Sequence, residues 1–303
     1  MENTIITIGM FDGVHLGHRH ILNLLLEKSS LLSLSPVVIT FDKHPRQVIQ
    51  SQTDYHPNPV ELLNTFNERI SLLKSNGVPL VEVLPFSRQL AALSACQFYD
   101  RYLLPTYRPK AFVFGYDNTF GNRANNDFDL LRARLSDSGV RIFDDVPVLY
   151  GDSGVSSTRI RRALASGDVA AANEMLGYRY SVSGTVVRGK RLGHTLGFPT
   201  ANISVADGGK LLPRDGVYVV VASIDNVPFL GVANWGVQPT VAGSNRVLEV
   251  FFVDYHGDLY GRQLSVSFVD RLRDICRFDS VDDLSAHIRE DVSKSLAYSS
   301  VLK

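Results

Sequence analysis

The chain has few cysteines, no net charge and no long apolar run, and each of these absences excludes a class of protein. Cys96 and Cys276 are the two cysteines among 303 residues, and their distance in sequence predicts no disulfide framework. The 31 basic residues balance the 31 acidic ones, and the balance holds in both halves of the chain. Such a chain has no global field to attract nucleic acid or an anionic membrane, so a small-molecule ligand is expected.

Two further absences concern the location of the protein. The N-terminal segment MENTIITIGMF lacks the basic-then-apolar layout of a signal peptide, and no apolar run approaches the length of a bilayer span. We therefore expect a reduced, cytoplasmic enzyme that is a monomer or a weak homo-oligomer.

What is present first is an alternation of short β-rich runs with helical patterns, up to about residue 178. Strands are predicted at 4–8, 36–41, 78–86, 110–115 and 140–148. A helix is predicted within 60–77, with Leu62, Leu63, Phe66, Ile70 and Leu73 on its apolar face. This alternation predicts a mostly parallel sheet covered by helices, with the ligand beyond the carboxyl ends of the strands.

The pattern changes near residue 180, which predicts a second domain. Short alternating runs follow at 184–189, 216–224, 227–235, 248–255 and 263–272, with turn residues between them. Such runs without intervening helices predict an antiparallel barrel or sandwich. A final helix is expected after Ser280, with an apolar stripe of Val281, Leu284, Ile288, Val292 and Leu296. The predicted domains are 1–178 and 182–303.

The stretch GMFDGVHLGHRH, residues 9–20, reads as a strand end, a glycine turn and a helix start. A helix N-terminus attracts phosphate through its unpaired N–H groups and its dipole. His15 and His18 lie there one helical turn apart, where imidazoles can donate hydrogen bonds to a transferring phosphoryl group. Two alternatives remain open for this pair: half of a zinc site, or ordinary polar residues of a tight turn.

Three more polar segments are predicted at or near the same sheet edge. TFDKHP (40–45) follows the second strand, and VFGYDNTFGN (113–122) follows the fourth. VSSTRIRRAL (155–164) opens a helix with hydroxyls and arginines that can converge on a polyphosphate. The alternative for this last segment is simple helix capping by Ser156 or Ser157.

The second domain opens with the glycine-rich stretch GTVVRGKRLGHTLGFPTANI, residues 184–203. Thr200 and Asn202 are two residues apart, so on an extended chain they project to one side and can bind a magnesium ion that carries ATP oxygens. A glycine-rich barrel corner with ordinary turn polar residues is the alternative.

These motifs resemble one family over nearly the whole chain. Phe-Asp-Gly-x-His-x-Gly-His, Gly-x-Asp-x-x-Phe-Gly and Ser-Ser-Thr-x-x-Arg are similar to the nucleotidylyltransferase domain of bacterial bifunctional riboflavin kinase/FAD synthetases. The stretch 184–203 resembles the ATP and magnesium motif of riboflavin kinase, and PRDGVY, VANWGVQPT, LEVFFVD, DLYG and RLRDICRF follow in order. The resemblance implies a Rossmann-like α/β domain, followed by an antiparallel β-barrel kinase domain with a terminal helix.

The resemblance also implies two reactions. The second domain would convert riboflavin and ATP to FMN, and the first would transfer AMP from a second ATP to FMN, giving FAD and pyrophosphate. His15 and His18 would face the ATP phosphates, and Glu249, the only carboxylate in an apolar strand, would be the base of the kinase. The alternative for Glu249 is a single charge on the outward face of that strand.

The remaining site residues implied by the resemblance are contacts to nucleotide, flavin or metal. Those expected to bind substrate are Gly9, Phe11, Asp12, Asp117, Ser157, Thr158, Arg161, Gly184, Lys190, Gly197, Asn234 and Arg273, and those expected to bind magnesium are Thr200 and Asn202. Asn118 and Thr119 depart from the pattern of the family. The alternative function is therefore a riboflavin kinase whose first domain no longer adenylylates FMN and serves as a nucleotide- or flavin-binding regulatory module.

Overall fold

The computed structural model describes residues 2–50, 61–116, 120, 127–189, 197–205, 209–240 and 243–302; the side chains of 49, 50, 237–240 and 243–247 are not described. The chain forms two compact units, Met1–Ser157 and Thr158–Lys303. Each unit contains a large sheet of its own. The predicted domain limits of 1–178 and 182–303 stay a prediction.

The first unit is built on a five-stranded parallel sheet with the order β3-β2-β1-β4-β5. Every residue of the central strand β1 is buried, because a parallel sheet is covered on both faces. Its strands are β1 (Thr4–Ile8), β2 (Ser35–Phe41), β3 (Val81–Leu84), β4 (Pro109–Phe114) and β5 (Arg141–Asp144). The third and fifth are shorter than predicted.

Helices connect these strands and cover the sheet. They are α1 (Leu16–Leu32), α2 (Pro45–Gln50), α3 (Phe66–Ser75), α4 (Arg88–Ala92), α5 (Ala95–Phe98), a π-helical turn (Tyr99–Leu103), α6 (Leu104–Tyr107) and α7 (Phe128–Asp137). A small hairpin, β6 (Leu149–Tyr150) and β7 (Ser153–Gly154), follows β5.

The predicted start of α3 is wrong, and its predicted apolar face is only partly correct, since Leu73 is buried. Thr65 caps the helix, with its hydroxyl accepting from the N–H of Glu68 while the Glu68 carboxylate accepts from the N–H of Thr65. The helix therefore begins at Phe66, a residue that is 40% exposed. Arg69, not an apolar residue, is buried beside Leu73.

The second unit contains a closed six-stranded barrel with the order β10-β11-β12-β9-β8-β13. The helices α8 (Ser157–Ser166) and α9 (Val169–Leu176) precede it. The strands are β8 (Ser181–Val187), β9 (Thr200–Val205), β10 (Gly216–Ile224), β11 (Val227–Thr240), β12 (Gly243–Phe252) and β13 (Gln263–Arg273). All pairs are antiparallel.

The chain ends in α10 (Val281–Leu296) and a 3₁₀ turn (Ser299–Leu302). Ser280 caps α10 by accepting from the N–H of Asp283, as predicted. The predicted apolar stripe is only partly correct, because Val281 and Leu296 are exposed. The residues of α10 that are buried are instead polar: Ser285, Asp291 and Ser295.

The predicted fold class is confirmed, with a parallel α/β sheet first and an antiparallel barrel with a terminal helix second. In the part of the chain that is described, no helix has both the length and the apolar character needed to cross a membrane.

Two candidate active sites

The first site is the turn between β1 and α1. The N–H of Gly9 donates to the carbonyl of Ile39, and the hydroxyl of Thr40 donates to the carbonyl of Met10, which fixes the turn to the end of β2. Phe11 and Gly13 both have positive φ, +51° and +89°. A left-handed φ at an aromatic residue is strained, so the surrounding contacts must hold this conformation.

His15 is the N-cap of α1. Its Nδ1 accepts a hydrogen bond from the N–H of His18 at 3.3 Å, so the neutral ring carries its proton on Nε2. The two imidazoles stack with centroids 3.7 Å apart and an interplanar angle of 17°. Gly17 allows this arrangement, because a Cβ there would lie 3.2 Å from the His15 ring.

His18 is held in its neutral form. Burial lowers its pKa well below the ordinary value, and the neighbouring His15 lowers that pKa further. Its buried Nδ1 has no hydrogen-bond partner within the described ranges, so nothing there stabilises an added proton. The ring of Phe11 meets it edge-on, with centroids 5.3 Å apart. His18 therefore offers a neutral N–H donor at the N-terminus of α1.

Asp12 is buried, and its carboxylate accepts from the N–H groups of Leu63 and Asn64 at 3.0–3.3 Å. Its carbonyl accepts from the hydroxyl of Ser157 at 2.8 Å. Asp12 thus anchors the turn, and Ser157, which we expected to bind phosphate, touches that turn. Thr158 and Arg161 follow Ser157 on α8.

Among the described residues, no further side chains complete a zinc site at His15 and His18. Within the described residues, no group of three or more histidine, cysteine, aspartate or glutamate side chains could hold a metal ion. Two predicted site residues, Asp117 and Lys190, lie outside the described residues, as do Asn118 and Thr119.

The second site is a row of polar residues across neighbouring barrel strands. Asn202 of β9 lies directly opposite Glu249 of β12, and Glu249 lies directly opposite Asn234 of β11. Val217 continues the row between Asn234 and Arg273. Residues in register on adjacent strands share a face, so four residues predicted from separate motifs meet on one face.

That face is the outer surface of the barrel. The adjacent row, Tyr218, Ala233 and Val250, is completely buried, while Glu249 and Asn234 are partly exposed and Asn202 and Val217 retain slight exposure. Since successive side chains of a strand alternate, the buried row fills the barrel and the polar row faces outward. Thr200 shares the outer face, two residues before Asn202.

Two glycines shape the surroundings of Asn202. A Cβ on Gly189 would lie 2.3 Å from the Asn202 amide, so the amide packs directly on this backbone. A Cβ on Gly184 would lie 2.3 Å from the carbonyl oxygen of Ser204, so Gly184 permits the close approach of β8 and β9. Gly197, with a φ of +81°, precedes β9.

A cavity of about 300 Å³ opens beside this row. Its wall includes Thr200 together with Phe252, Tyr255, Leu259 and Tyr260. The cavity joins one predicted metal ligand to an aromatic and aliphatic surface that a planar ring can fill.

Arg273 lies at the end of the row, where it binds Asp291 of α10. Its Nη2 and Nε contact the Asp291 carboxylate at 2.8 and 3.1 Å, and its Nη1 contacts the Sγ of Cys276 at 3.1 Å. Asp291 is buried, and although burial acts to lower the pKa of Arg273, the hydrogen bonds that Arg273 donates to Asp291 raise it. The motif that contains Arg273 does not indicate this partner.

The family is shown by comparison with known proteins. Residues 1–159 match the FAD synthetase family model, and residues 176–299 match the riboflavin kinase family model. The bifunctional riboflavin kinase/FMN adenylyltransferase of Escherichia coli strain K12 is 38% identical over 291 residues, 96% of this chain and 91% of that protein. Its counterpart from Haemophilus influenzae is 34% identical over 299 residues, 98% of this chain and 95% of that protein.

A solved structure has the same fold along nearly the whole chain. The crystal structure of a protein from Streptococcus pneumoniae, described as a macrolide-efflux protein, aligns with a TM-score of 0.84 at 32% identity, over 97% of this chain and 94% of that one. The resemblance carried by the sequence motifs is therefore confirmed. The chain belongs to the bifunctional riboflavin kinase/FMN adenylyltransferase family, with its FAD synthetase half N-terminal and its riboflavin kinase half C-terminal.

Proposed function

We propose that the barrel phosphorylates riboflavin to FMN with ATP, and that the β1–α1 turn binds the second ATP from which AMP passes to FMN, giving FAD and pyrophosphate. The observation that carries the proposal is the meeting of Asn202, Glu249 and Asn234 on one outer face of the barrel. The stacked His15 and His18 at the N-terminus of α1 support the second activity.

The kinase reaction needs a base, because the ribityl 5′-hydroxyl is a neutral alcohol. Glu249 accepts that proton as the hydroxyl oxygen attacks the γ-phosphorus of ATP, and ADP leaves. The amides of Asn202 and Asn234 flank Glu249 on the two adjacent strands and orient the groups that meet there.

Magnesium fits the outer face beside Glu249. The Thr200 hydroxyl and the Asn202 amide oxygen would hold the ion as neutral oxygen ligands, together with phosphate oxygens of ATP. When bound, the ion neutralises charge on the phosphates. The aromatic cavity beside Thr200 takes the nucleoside of the same ATP.

Adenylyl transfer needs no base at the first site. The FMN phosphate has a second pKa of about 6 and is already ionised at neutral pH. The site must align it with the α-phosphorus of ATP and stabilise the charge that develops. The N–H groups of His15, His18 and the first turn of α1 do this, and Ser157, Thr158 and Arg161 hold the pyrophosphate that leaves. Gly9, Phe11 and Asp12 form the turn, and a contact of Asp117 with flavin or nucleotide stays a prediction from the sequence.

The proposal is tested by a product assay. The full chain is incubated with riboflavin, ATP and magnesium, and riboflavin, FMN and FAD are separated by chromatography. FMN that rises first and is then converted to FAD supports both activities in this order. FMN that accumulates without FAD contradicts adenylylation and favours the regulatory alternative for the first domain. A cytoplasmic location and a monomeric or weakly oligomeric state stay predictions.

A further inference from the structure

Arg69 is a charged residue inside the first unit. Only 1% of its surface is exposed. It lies in the first turn of α3, and its guanidinium donates to two points on the sheet edge. One N–H reaches the carbonyl of Phe41, the last residue of β2, and another reaches the Sδ of Met10 at 3.8 Å. Arg69 thus joins the end of β2 to the turn after β1.

Two carboxylates face Arg69, and each is occupied elsewhere. Asp12 accepts from the N–H groups of Leu63 and Asn64, and Asp42 accepts from the N–H of Phe86 at 2.7 Å. The Nε of Arg69 has no hydrogen-bond partner within the described ranges. Burial lowers the pKa of Arg69, and Asp12 and Asp42 act to raise it.

Arg69 contacts Met10, the residue immediately before the strained backbone position of the first site. Phe11, the next residue, has a φ of +51° and sets its ring against His18. A strained backbone persists only where its surroundings hold it. Two contacts hold Met10: the Thr40 hydroxyl on its carbonyl and the Arg69 guanidinium on its sulfur.

We propose that Arg69 is a positioning residue for adenylyl transfer, fixing the Met10–Phe11 backbone so that Phe11 and His18 keep the geometry that the phosphates require. This inference rests on the adenylyl transfer proposed for the turn.

The test compares Arg69→Met and Arg69→Lys in the full chain, with FMN and ATP as substrates. The methionine variant keeps an unbranched side chain without the charge, and we expect its kcat for FAD formation to fall about 10- to 100-fold with a small change in KM. The lysine variant retains most of the rate at pH 7 and loses it as the pH rises to 10, because a buried ammonium releases its proton far more readily than a guanidinium.

Riboflavin phosphorylation by the same molecules is the control for folding, and it stays unchanged. A methionine variant within twofold of the wild type overturns the proposal. So does a lysine variant that follows the wild-type pH profile. If the methionine variant also loses kinase activity, the proposal is judged on the lysine variant alone. A wild-type pH profile in that variant overturns it.

A second readout does not depend on activity. The imidazole NMR signals of His15 and His18, assigned with a His18→Gln variant, report the ring contacts directly. In Arg69→Met we expect the His18 signal to shift while those of His256 and His287 stay in place. If the wild-type chain makes no FAD but Arg69→Met still shifts the His18 signal, the proposed function is refuted and the positioning role remains. An unmoved His18 signal in an enzyme that makes FAD refutes the positioning role alone.

Discussion

The imidazole of His18 lies flat against that of His15, 3.7 Å away, while its own pKa is held low by burial and by that neighbour. Two stacked imidazoles cannot both carry a charge at low cost. The neutral form of His18 is therefore favoured, and the geometry of the stacked pair depends on pH.

The first prediction follows from the lowered pKa of His18. A histidine whose pKa is lower in the folded state binds fewer protons than the unfolded chain does. Its contribution to stability is complete above about pH 6.5 and is lost as the pH falls below that value. By calorimetry between pH 5.5 and 7.5, His18→Gln should show a smaller fall in the melting temperature of the first unit than the wild type. His256→Gln, a change in the other unit, is the matched control. Equal pH dependence in all three chains would contradict the assignment.

The second prediction concerns the role of His18 in the reaction. His18→Ala removes one donor aimed at developing charge, so FAD formation from supplied FMN should fall about 10²- to 10³-fold. Phosphorylation of riboflavin, measured on the same preparation, should not change. Loss of both activities would mean that the two sites are not separate as assigned.

The third prediction concerns Glu249. Glu249→Gln keeps the shape and removes the base, so FMN formation should fall about 10²- to 10⁴-fold, while FMN supplied in the assay is still adenylylated. Glu290→Gln, at an exposed position on α10, should leave both rates unchanged. A Glu249→Gln enzyme with normal kinase turnover would leave this residue as an ordinary charge on an outward face.

The fourth prediction uses Gly189. An added Cβ would displace the Asn202 amide, a movable group, so Gly189→Ala should lower the kinase rate with a small change in melting temperature. Adding Asn202→Ala to this variant should cause little further loss, since both changes remove the same group. In Gly184→Ala the clash is with the backbone of Ser204, and the barrel itself should lose stability, by about 1–3 kcal/mol. Fully additive effects of the first two changes would show that Gly189 does not act through Asn202.

The fifth prediction concerns the contact of α10 with the barrel. Asp291 is buried with Arg273, and removal of one member of such a pair leaves an unpaired charge, so Asp291→Asn should cost on the order of 3 kcal/mol in urea unfolding. The exposed Glu290–Lys294 pair on the same helix is the control, and its removal should leave the unfolding midpoint in place. Similar effects at the two pairs would contradict this assignment.

The positions of strands along the chain could be predicted where burial leaves a simple pattern. β1 is buried at every position and reads as a short run of β-branched residues, and β10 matches its predicted limits. The start of α3 could have been found from the Thr65–Glu68 capping box, but the apolar count extended the helix back to Leu62. No local sequence pattern indicates the burial of Arg69, because its partners Met10 and Phe41 come from distant segments.

The sequence predicted the residues of the candidate kinase site but not how they are arranged. The spacing of Thr200 and Asn202 indicates a shared face within one strand, and Glu249 is a lone carboxylate in another. That Asn202, Glu249 and Asn234 stand side by side depends on strand register, which no single segment contains. The pairing of Arg273 with Asp291 depends in the same way on where α10 lies against the barrel.

The candidate kinase site forms only if β9, β11 and β12 pair in the correct register. Sliding β12 by one residue against its neighbours would turn Glu249 toward the barrel interior and bring Leu248 or Val250 to the surface. A carboxylate in that apolar interior would be very costly, so the error would be rejected during folding rather than tolerated as a slower enzyme. Glu249, which we assign to proton transfer, therefore also favours the correct register of β12 in the barrel.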